Sequence, residues 1–230
     1  MKNRLPIIAI DGPSGAGKST VGRMLARELQ LLFLDTGAMY RAVALAVIEA
    51  NLSFSDAEAI VEVARRVDIY LEGDPDSLQV RLDGRDVTQK IRSEQVSHTA
   101  SVISAIPQVR REMVNRQRQL GQRGGVVLDG RDISTVVFPE ADVKLFLTAV
   151  PEERARRRFD EDRARMRELT YEQTLSEINT RDQRDSTRID SPLAIAEDAI
   201  VIDSTELSLH QVYERAVAIV RERMESKPES

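Results

Sequence analysis

A nine-residue stretch, GPSGAGKST at positions 12–20, constrains the fold of this chain more than any other part of the sequence. It matches G-x-x-x-x-G-K-[ST], follows the apolar run LPIIAID and precedes residues typical of a helix. Glycines here let backbone N–H groups wrap around phosphate oxygens, and the start of a helix favours negative charge. The stretch therefore predicts a strand, a phosphate-binding loop and a helix in succession. We expect the loop to hold a nucleoside triphosphate through Gly12, Pro13, Ser14, Gly15, Ala16, Gly17, Lys18, Ser19 and Thr20.

Two side chains of this loop carry chemistry of their own. Lys18 is expected to bridge the β- and γ-phosphates, and Ser19 is expected to help hold Mg²⁺ through its hydroxyl. The loop does not identify what receives the phosphate, because kinases, GTPases, motors and DNA-repair ATPases could all use it.

Short apolar runs recur along the chain, with helix-like stretches between them. Buried parallel strands are predicted at 5–11, 31–35, 125–129, 142–148 and 198–203. Helical stretches are predicted at 20–24 (the onset), 56–67, 107–122, 151–185 and 208–225. The alternation predicts an α/β fold with an open parallel five-stranded sheet and helices on both faces.

Several predicted helices carry start signals. Capping-box spacing occurs at Ser55–Glu58, Thr170–Gln173 and Ser208–Gln211. Pro107 and Pro151 suit a first helical turn. These signals place helix starts within or beside the predicted helical stretches.

Residues 68–91 break the pattern, because apolar and polar side chains alternate there with a period of two. Turn residues at 73–77 and 83–84 divide the segment, which predicts a small antiparallel insert. The sequence DGRD at 83–86 then lies at a hairpin tip, where Asp-Gly suits a tight turn. We expect this copy to be a solvated turn.

The same four residues recur at 129–132, directly after the predicted strand GVVL. Ligands of open α/β sheets bind beyond the carboxyl ends of the strands. Arg131 and Asp132 are therefore placed to line a site. Arg41 follows another predicted strand in LDTGAMYR and could anchor an anion, although an exposed helix face is the alternative.

Further arginines are grouped in two places. Arg110 and Arg111 fall in the first turn of a predicted helix, where a cation is unfavourable unless an anion is near. RDQRDSTR at 181–188 places Arg181, Asp185 and Arg188 at helical spacing. The charged stretch 152–168 has few apolar anchors, so it is predicted to be either a mobile arm that closes over phosphates or a solvated surface helix.

Composition excludes several classes of function. The net charge of −5 and the absence of Trp argue against a nucleic-acid-binding protein. The absence of Cys excludes disulfides and thiolate metal sites. No apolar run reaches the length of a membrane span, and the first run is too short for a signal peptide, so we expect a soluble, cytoplasmic protein without membrane partners. Residues 226–230 are expected to be disordered.

The motifs together resemble the bacterial cytidylate kinases, a family of nucleoside-monophosphate kinases. The resemblance extends over nearly the whole chain, from IAIDGPSGAGKST through LDTGAMYR, LDGRDISTVVFPEADVKLFL and RDQRDSTR to DAIVIDST, and its middle segments are more specific than the phosphate loop. It implies a P-loop kinase fold in a single domain, with a core of 1–55, 96–149 and 191–230. The acceptor-binding insert would be 56–95 and the helical lid 150–190.

The resemblance also implies an activity and roles for particular residues. The family transfers the γ-phosphate of ATP to CMP or dCMP, so we expect ATP and Mg²⁺ as cofactors and a monomer. Arg41 and Arg131 would hold the acceptor phosphate, Arg181 and Asp185 would contact the ribose, and Arg188 the transferring phosphates. Lys18, Arg131 and Arg188 would be the catalytic side chains. The other acceptor contacts implied are Thr36, Tyr40, Ser101, Arg110 and Asp132, of which the last three would face cytosine.

Two other functions are open at this stage. A different small-molecule kinase would act on AMP, UMP or shikimate instead. A nucleotide-dependent switch would have no phosphoryl acceptor, although Lys18 and the arginine-rich pocket argue against it.

Overall fold

The computed structural model describes residues 5–164 and 169–225. Residues 165–168 of the predicted long helical stretch and the C-terminal tail 226–230 lie outside the described residues. In chain order the elements are β1 (Ile7–Asp11), α1 (Lys18–Glu28), β2 (Leu32–Asp35), α2 (Thr36–Glu49), α3 (Ala57–Arg66), β3 (Ile69–Glu72), β4 (Gln79–Leu82), β5 (Arg85–Asp86), a 3-10 turn (Lys90–Arg92), α4 (Glu94–Ile103), α5 (Pro107–Gly121), β6 (Val126–Asp129), a π-helical turn (Ile133–Val137), β7 (Val143–Thr148), α6 (Pro151–Ala164), α7 (Tyr171–Thr187), β8 (Ile200–Asp203) and α8 (Leu209–Glu225).

The central sheet has five parallel strands in the order β2-β6-β1-β7-β8. All five correspond to predicted strands. The strand β6 lies between β2 and β1, so Asp129 is in register with both Asp35 and Ile10. Because parallel strands end at one edge of the sheet, this order brings the phosphate loop, the start of α2 and the second DGRD together.

Both faces of the sheet are covered by helices, as the sequence predicts. Ile8 and Ile10 belong to an apolar core with residues of α1 and α8. Ile7 and Ala9 face the other way and pack with Val114 of α5. A strand buried on both faces needs apolar residues at successive positions, which explains the unbroken run IIAID.

The insert is the predicted antiparallel meander. The strand β4 pairs with β3 on one side and with β5 on the other. Asp83 and Gly84 connect β4 to β5 with φ values of +49° and +77°, which are those of a tight hairpin turn. Val80 and Leu82 are buried in a core shared with residues of α2, α3 and α4. The first DGRD therefore forms a hairpin tip, with its first two residues in the turn and its last two in β5.

One local prediction is wrong, and one helix was not predicted. The capping box proposed at Ser55–Glu58 is wrong, because Asp56 caps α3 by accepting a hydrogen bond from Ala59 N at 3.1 Å. A carboxylate one residue nearer the helix also suits the positive helix end. The helix α4 was not predicted at all. Its serines and threonine, of which Thr99 and Ser101 are buried, interrupt the apolar pattern on which the prediction relied.

The predicted helical stretch 151–185 contains two described helices, α6 and α7. The helix α7 begins with a complete capping box between Thr170 and Gln173, as predicted. The helix α6 lacks an apolar stripe, but Arg157 donates hydrogen bonds to Ser204 Oγ and Ser204 O at 2.9 and 2.6 Å. Polar contacts therefore fasten this helix. No helix in the described ranges is long and apolar enough to cross a membrane.

Candidate active site

A cavity of about 310 Å³ opens at the carboxyl edge of the central sheet. Its wall is formed by the phosphate loop, the start of α2, the loop after β6, and parts of α4, α5, α6 and α7. All the residues from the predicted acceptor set line it except Ser101. The wall is dominated by charged side chains, which suits a charged ligand.

The phosphate loop forms one end of the cavity. Lys18 is buried and donates a hydrogen bond from Nζ to the Pro13 carbonyl at 2.7 Å. Burial and the nearby charge of Arg131 lower the pKa of Lys18 well below its ordinary value. Gly12 has a φ of +142°, and a Cβ there would lie 1.9 Å from the Leu147 carbonyl oxygen. Only glycine therefore fits where the loop passes β7.

Asp129 lies beside the loop and was missed by the sequence analysis. The Ser19 hydroxyl donates a hydrogen bond to Asp129 Oδ2. Asp129 Oδ1 is buried and has no hydrogen-bond donor among the described residues. Burial and the neighbouring carboxylate of Asp35 raise the pKa of Asp129 to about 6. The signal in the sequence was an aspartate that ends a buried strand of the same sheet as the phosphate loop.

The start of α2 forms the next part of the wall. The Asp35 carboxylate caps α2 by accepting from Ala38 N at 2.8 Å, and it also accepts from Arg41 Nη2 at 3.0 Å. The Thr36 hydroxyl donates to the Asp129 carbonyl at 2.7 Å. Asp35 is thus a second residue that the sequence analysis missed, and it fixes the position of Arg41.

Arg110 and Asp132 form the far end of the cavity. Arg110 Nη2 donates a hydrogen bond to Asp132 Oδ2, and both side chains are buried. The Arg110 guanidinium lies 5.6 Å from the centre of the Tyr40 ring. Burial raises the pKa of Tyr40, whose hydroxyl has no hydrogen-bond partner among the described residues. Arg110 and Asp132, which the sequence predicts as base contacts from two separate segments, are therefore brought together.

Asp185 on α7 is surrounded by three arginines. Arg131 Nε lies 2.9 Å from its carboxylate, Arg188 Nη1 lies 3.3 Å away and Arg181 Nε 3.8 Å. Burial opposes ionisation, but the arginine charges hold the pKa of Asp185 below its usual range. Burial and the charge of Arg131 lower the pKa of Arg181 to about 9. One carboxylate does not balance three guanidinium groups, so this wall retains positive charge.

Several buried guanidinium N–H groups have no acceptor within the described residues. These are Nε of Arg41, Arg110 and Arg181, and Nε and Nη2 of Arg188. Buried donors are almost always paired in folded proteins. Because all four side chains line one cavity, the unpaired groups indicate that the cavity takes a ligand rich in acceptor oxygens.

Arg188 departs from the helical face that the sequence predicts, whereas Arg181 pairs with Asp185 one helical turn away, as the spacing predicts. Arg188 follows the end of α7, and the charges of Arg110, Asp185 and Asp132 act on it most strongly. Arg181 is also among the charges that act on Lys18. Ser101 does not reach the cavity wall, because its Oγ accepts a hydrogen bond from Arg184 Nη1 at 2.6 Å.

Comparison with known proteins identifies relatives over almost the whole chain. A family model described as cytidylate kinase matches residues 8–222. The cytidylate kinase of Caldanaerobacter subterraneus subsp. tengcongensis is 51% identical over 214 residues, which cover 93% of this chain and 94% of that protein. The cytidylate kinase of Bacillus subtilis is 45% identical over 216 residues, covering 94% and 96%. A solved shikimate kinase from Bacteroides thetaiotaomicron aligns with a TM-score of 0.48 at 15% identity, covering 96% of this chain and 98% of that one.

Proposed function

This chain belongs to the cytidylate kinase family, and on that basis we propose how its own side chains transfer the γ-phosphate of ATP to CMP or dCMP. The products are ADP and CDP or dCDP. The observation that carries the assignment of roles is the group of buried, unpaired guanidinium N–H donors that line the same cavity as the phosphate loop. A triphosphate and an acceptor monophosphate supply the oxygens that these donors lack.

The donor nucleotide binds at the phosphate loop. Backbone N–H groups of residues 14–20 hold the phosphates of ATP, and the start of α1 adds a favourable dipole. On binding, Lys18 Nζ leaves the Pro13 carbonyl and contacts the β- and γ-phosphate oxygens. The low dielectric around Lys18 makes its charge more effective against the charge of the transferring group.

Mg²⁺ would be held by the Ser19 hydroxyl and the Asp129 carboxylate. Oxygen ligands suit this cation, and the unpaired Asp129 Oδ1 together with Ser19 Oγ provides an oxygen pair that fits it. The bound cation would neutralise charge on the phosphates. The pairing of Ser19 with Asp129 in the protein holds both side chains where such a cation is needed.

The acceptor phosphate binds to Arg41 and Arg131. Asp35 orients Arg41 and Asp185 orients Arg131, so both guanidinium groups are fixed before the ligand arrives. The resemblance implies the ribose for Arg181 and the transferring phosphates for Arg188. The position of Arg181 near Lys18 favours the reverse, with Arg181 on the transferring phosphates and Arg188 with Asp185 on the nucleoside.

The base binds to Arg110 and Asp132, with the Tyr40 hydroxyl available nearby. Cytosine offers an amine donor beside two acceptors, so a carboxylate accepts from the amine while a guanidinium donates to the acceptors. Uracil has a carbonyl in place of the amine and would oppose Asp132. Ser101 Oγ accepts a hydrogen bond from Arg184, which leaves the hydroxyl proton of Ser101 to be donated to the base.

The reaction needs little covalent work from the protein. The attacking group is already a phosphate oxyanion, so no general base is required, and Lys18, Arg131 and Arg181 stabilise the charge spread over the transferring group. We assign residues 56–95 to the acceptor-binding insert and 150–190 to the lid, whose closure excludes water. The protein is expected to act as a cytoplasmic monomer.

The experiment measures ADP released from Mg·ATP with CMP, dCMP, UMP, AMP or shikimate as acceptor. ADP formed with CMP and dCMP, but not with the others, supports the proposed base contacts. Arg131→Met should remove most of this activity. Arg85→Met changes the equivalent arginine of the first DGRD, which is exposed and paired with Glu49, and should leave it intact. ADP release without any acceptor, or equal loss in both variants, would contradict the proposal.

A further inference from the structure

Arg154 is a buried arginine that the roles above leave unused. Its side chain is 4% exposed and lies in the first turn of α6, behind the cavity wall. Nε donates to the Ala149 carbonyl at 2.8 Å, and Nη1 donates to the Ser14 carbonyl at 3.1 Å. Nη1 also lies 2.6 Å from Asp182 Oδ2. A buried charge with three fixed partners holds those partners in a set geometry.

The contact with Ser14 determines how the phosphate loop presents Gly15. In a planar trans peptide the carbonyl and the following N–H point in opposite directions. Because Arg154 draws the Ser14 carbonyl towards α6, the Gly15 N–H must point away from α6, on the side where Gly15 lines the cavity. Arg154 therefore aims a backbone donor at the bound phosphates.

The close packing of Gly15 against α6 also holds the loop backbone in this conformation. Gly15 has a φ of +77°, and a Cβ there would lie 3.0 Å from both Cβ and the carbonyl oxygen of Arg154. The first turn of α6 is thus in close contact with the loop backbone. Only glycine allows this approach, so the loop conformation and the position of Arg154 are linked.

Asp182 connects this arrangement to α7. It lies on the same helix as Arg181 and Asp185, and its carboxylate is the acid that pairs with Arg154. Movement of α7 away from the core would leave the buried Arg154 without its counter-ion. The conformation of the phosphate loop is therefore tied to the position of α7 through two side chains.

We propose that Arg154 and Asp182 are positioning residues for the triphosphate, which aim the Gly15 N–H into the phosphate cradle when α7 lies against the core. This inference rests on the proposed function for the identity of the donor nucleotide. Neither side chain touches the ligand. Their effect is on the affinity of the donor site, and the acceptor site on Arg110 and Asp132 is unaffected.

The test is the dissociation constant of a non-hydrolysable ATP analogue with Mg²⁺, measured by calorimetry on the full chain carrying Asp182→Asn or Arg154→Lys. We expect binding to weaken about 10-fold or more, because the Gly15 N–H no longer points towards the phosphate that it binds. KM for ATP should rise accordingly, while KM for CMP changes little. Asp182→Asn keeps the shape of the side chain and tests the inference even if Arg154→Lys folds poorly.

Arg156→Met provides the matched control. Arg156 lies on the same helix and donates hydrogen bonds to Glu153 and Asp160, but none to the phosphate loop. Arg156→Met should leave analogue binding unchanged. Unaltered analogue binding in Asp182→Asn, or an equal loss for analogue and CMP, would overturn the inference. Analogue binding needs no acceptor. If CMP is not a substrate, the turnover assay with the wild-type protein shows this independently of the binding data.

Discussion

Arg110 and Asp132 form an ion pair inside the protein, with side chains that are 2% and 6% exposed. Removing two charges from water is costly, and a buried pair of this kind is weak evidence for a role in stability alone. Its position at the end of a charged cavity gives the pair a second use. It presents one donor and one acceptor side by side to a ligand with the complementary edge.

We predict that Asp132→Asn changes base selectivity. An amide donates where the carboxylate accepts, so kcat/KM should fall about 100-fold or more for CMP and should rise relative to it for UMP. The free energy of unfolding should fall by about 3 kcal/mol, because Arg110 then carries a buried charge without its counter-ion. Kinetics with both nucleotides and denaturant titration measure these effects. Asp86→Asn, the same position in the first DGRD, is the control, and an unchanged UMP/CMP ratio in Asp132→Asn would refute the assignment.

Ser19→Ala and Asp129→Asn should both raise the Mg²⁺ concentration needed for half-maximal turnover, and chelation should abolish activity in the wild type. The reason is that each change removes one oxygen from the pair that fits the cation. A Mg²⁺ titration at saturating ATP and CMP gives the comparison. Asp83→Asn, in the first DGRD, should behave as wild type. Identical titration curves for Ser19→Ala and wild type would exclude Ser19 as a ligand.

Lys18→Met should separate activity from stability. We expect kcat to fall about 100- to 1000-fold, since a charge on the transferring phosphate is lost. Burial and Arg131 lower the pKa of Lys18, so the folded protein holds this proton less tightly than the unfolded chain. Charged Lys18 therefore lowers stability at neutral pH, and stability rises with pH as the proton is lost.

The matching measurement for Lys18→Met is thermal unfolding at several pH values. The variant should have the higher Tm at pH 7. The difference in Tm between the variant and the wild type should decrease as the pH rises towards the ordinary pKa of lysine, about 10.4. A variant that is less stable than wild type at pH 7 would contradict this interpretation of the buried charge.

Arg184→Met is expected to affect the acceptor and not the donor. Arg184 joins α7 to Ser101 on α4 by a hydrogen bond of 2.6 Å, so its loss should loosen the acceptor side and raise KM for CMP about 10-fold. KM for ATP should change much less, in contrast to Asp182→Asn two residues earlier. Gln183→Met, at the exposed neighbouring position, is the control. Equal changes in both KM values would argue against this link.

The sequence predicted the parts of the site that depend on local backbone geometry. The phosphate loop was identified because glycine spacing, a preceding apolar strand and a following helix lie within about twenty residues. The two DGRD copies were told apart in the same way, since one follows a buried strand and the other alternating residues. The structure agrees on both, with Asp129 ending β6 and Asp83 in a hairpin turn.

Local sequence patterns do not predict contacts between residues that are far apart in the sequence. The helix α4 was missed because its polar residues interrupt the apolar pattern that defines a helix in the sequence. Asp129 was overlooked as a site residue although it ends a predicted strand, because its partner Ser19 is 110 positions away. The pairs Arg154–Asp182 and Ser101–Arg184 are invisible for the same reason.

By itself, then, the sequence determined the five strands of the central sheet, most of the helices, the phosphate loop and the resemblance to the family. The tertiary structure alone decided which charges meet. Because β6 lies between β2 and β1, Asp129 lies beside Asp35 and close to the phosphate loop that follows β1. The position of α7 brings Asp185 to Arg131. Helix and strand periodicities arise within a few residues, whereas ion pairs and unpaired donors depend on how separate elements pack around one cavity.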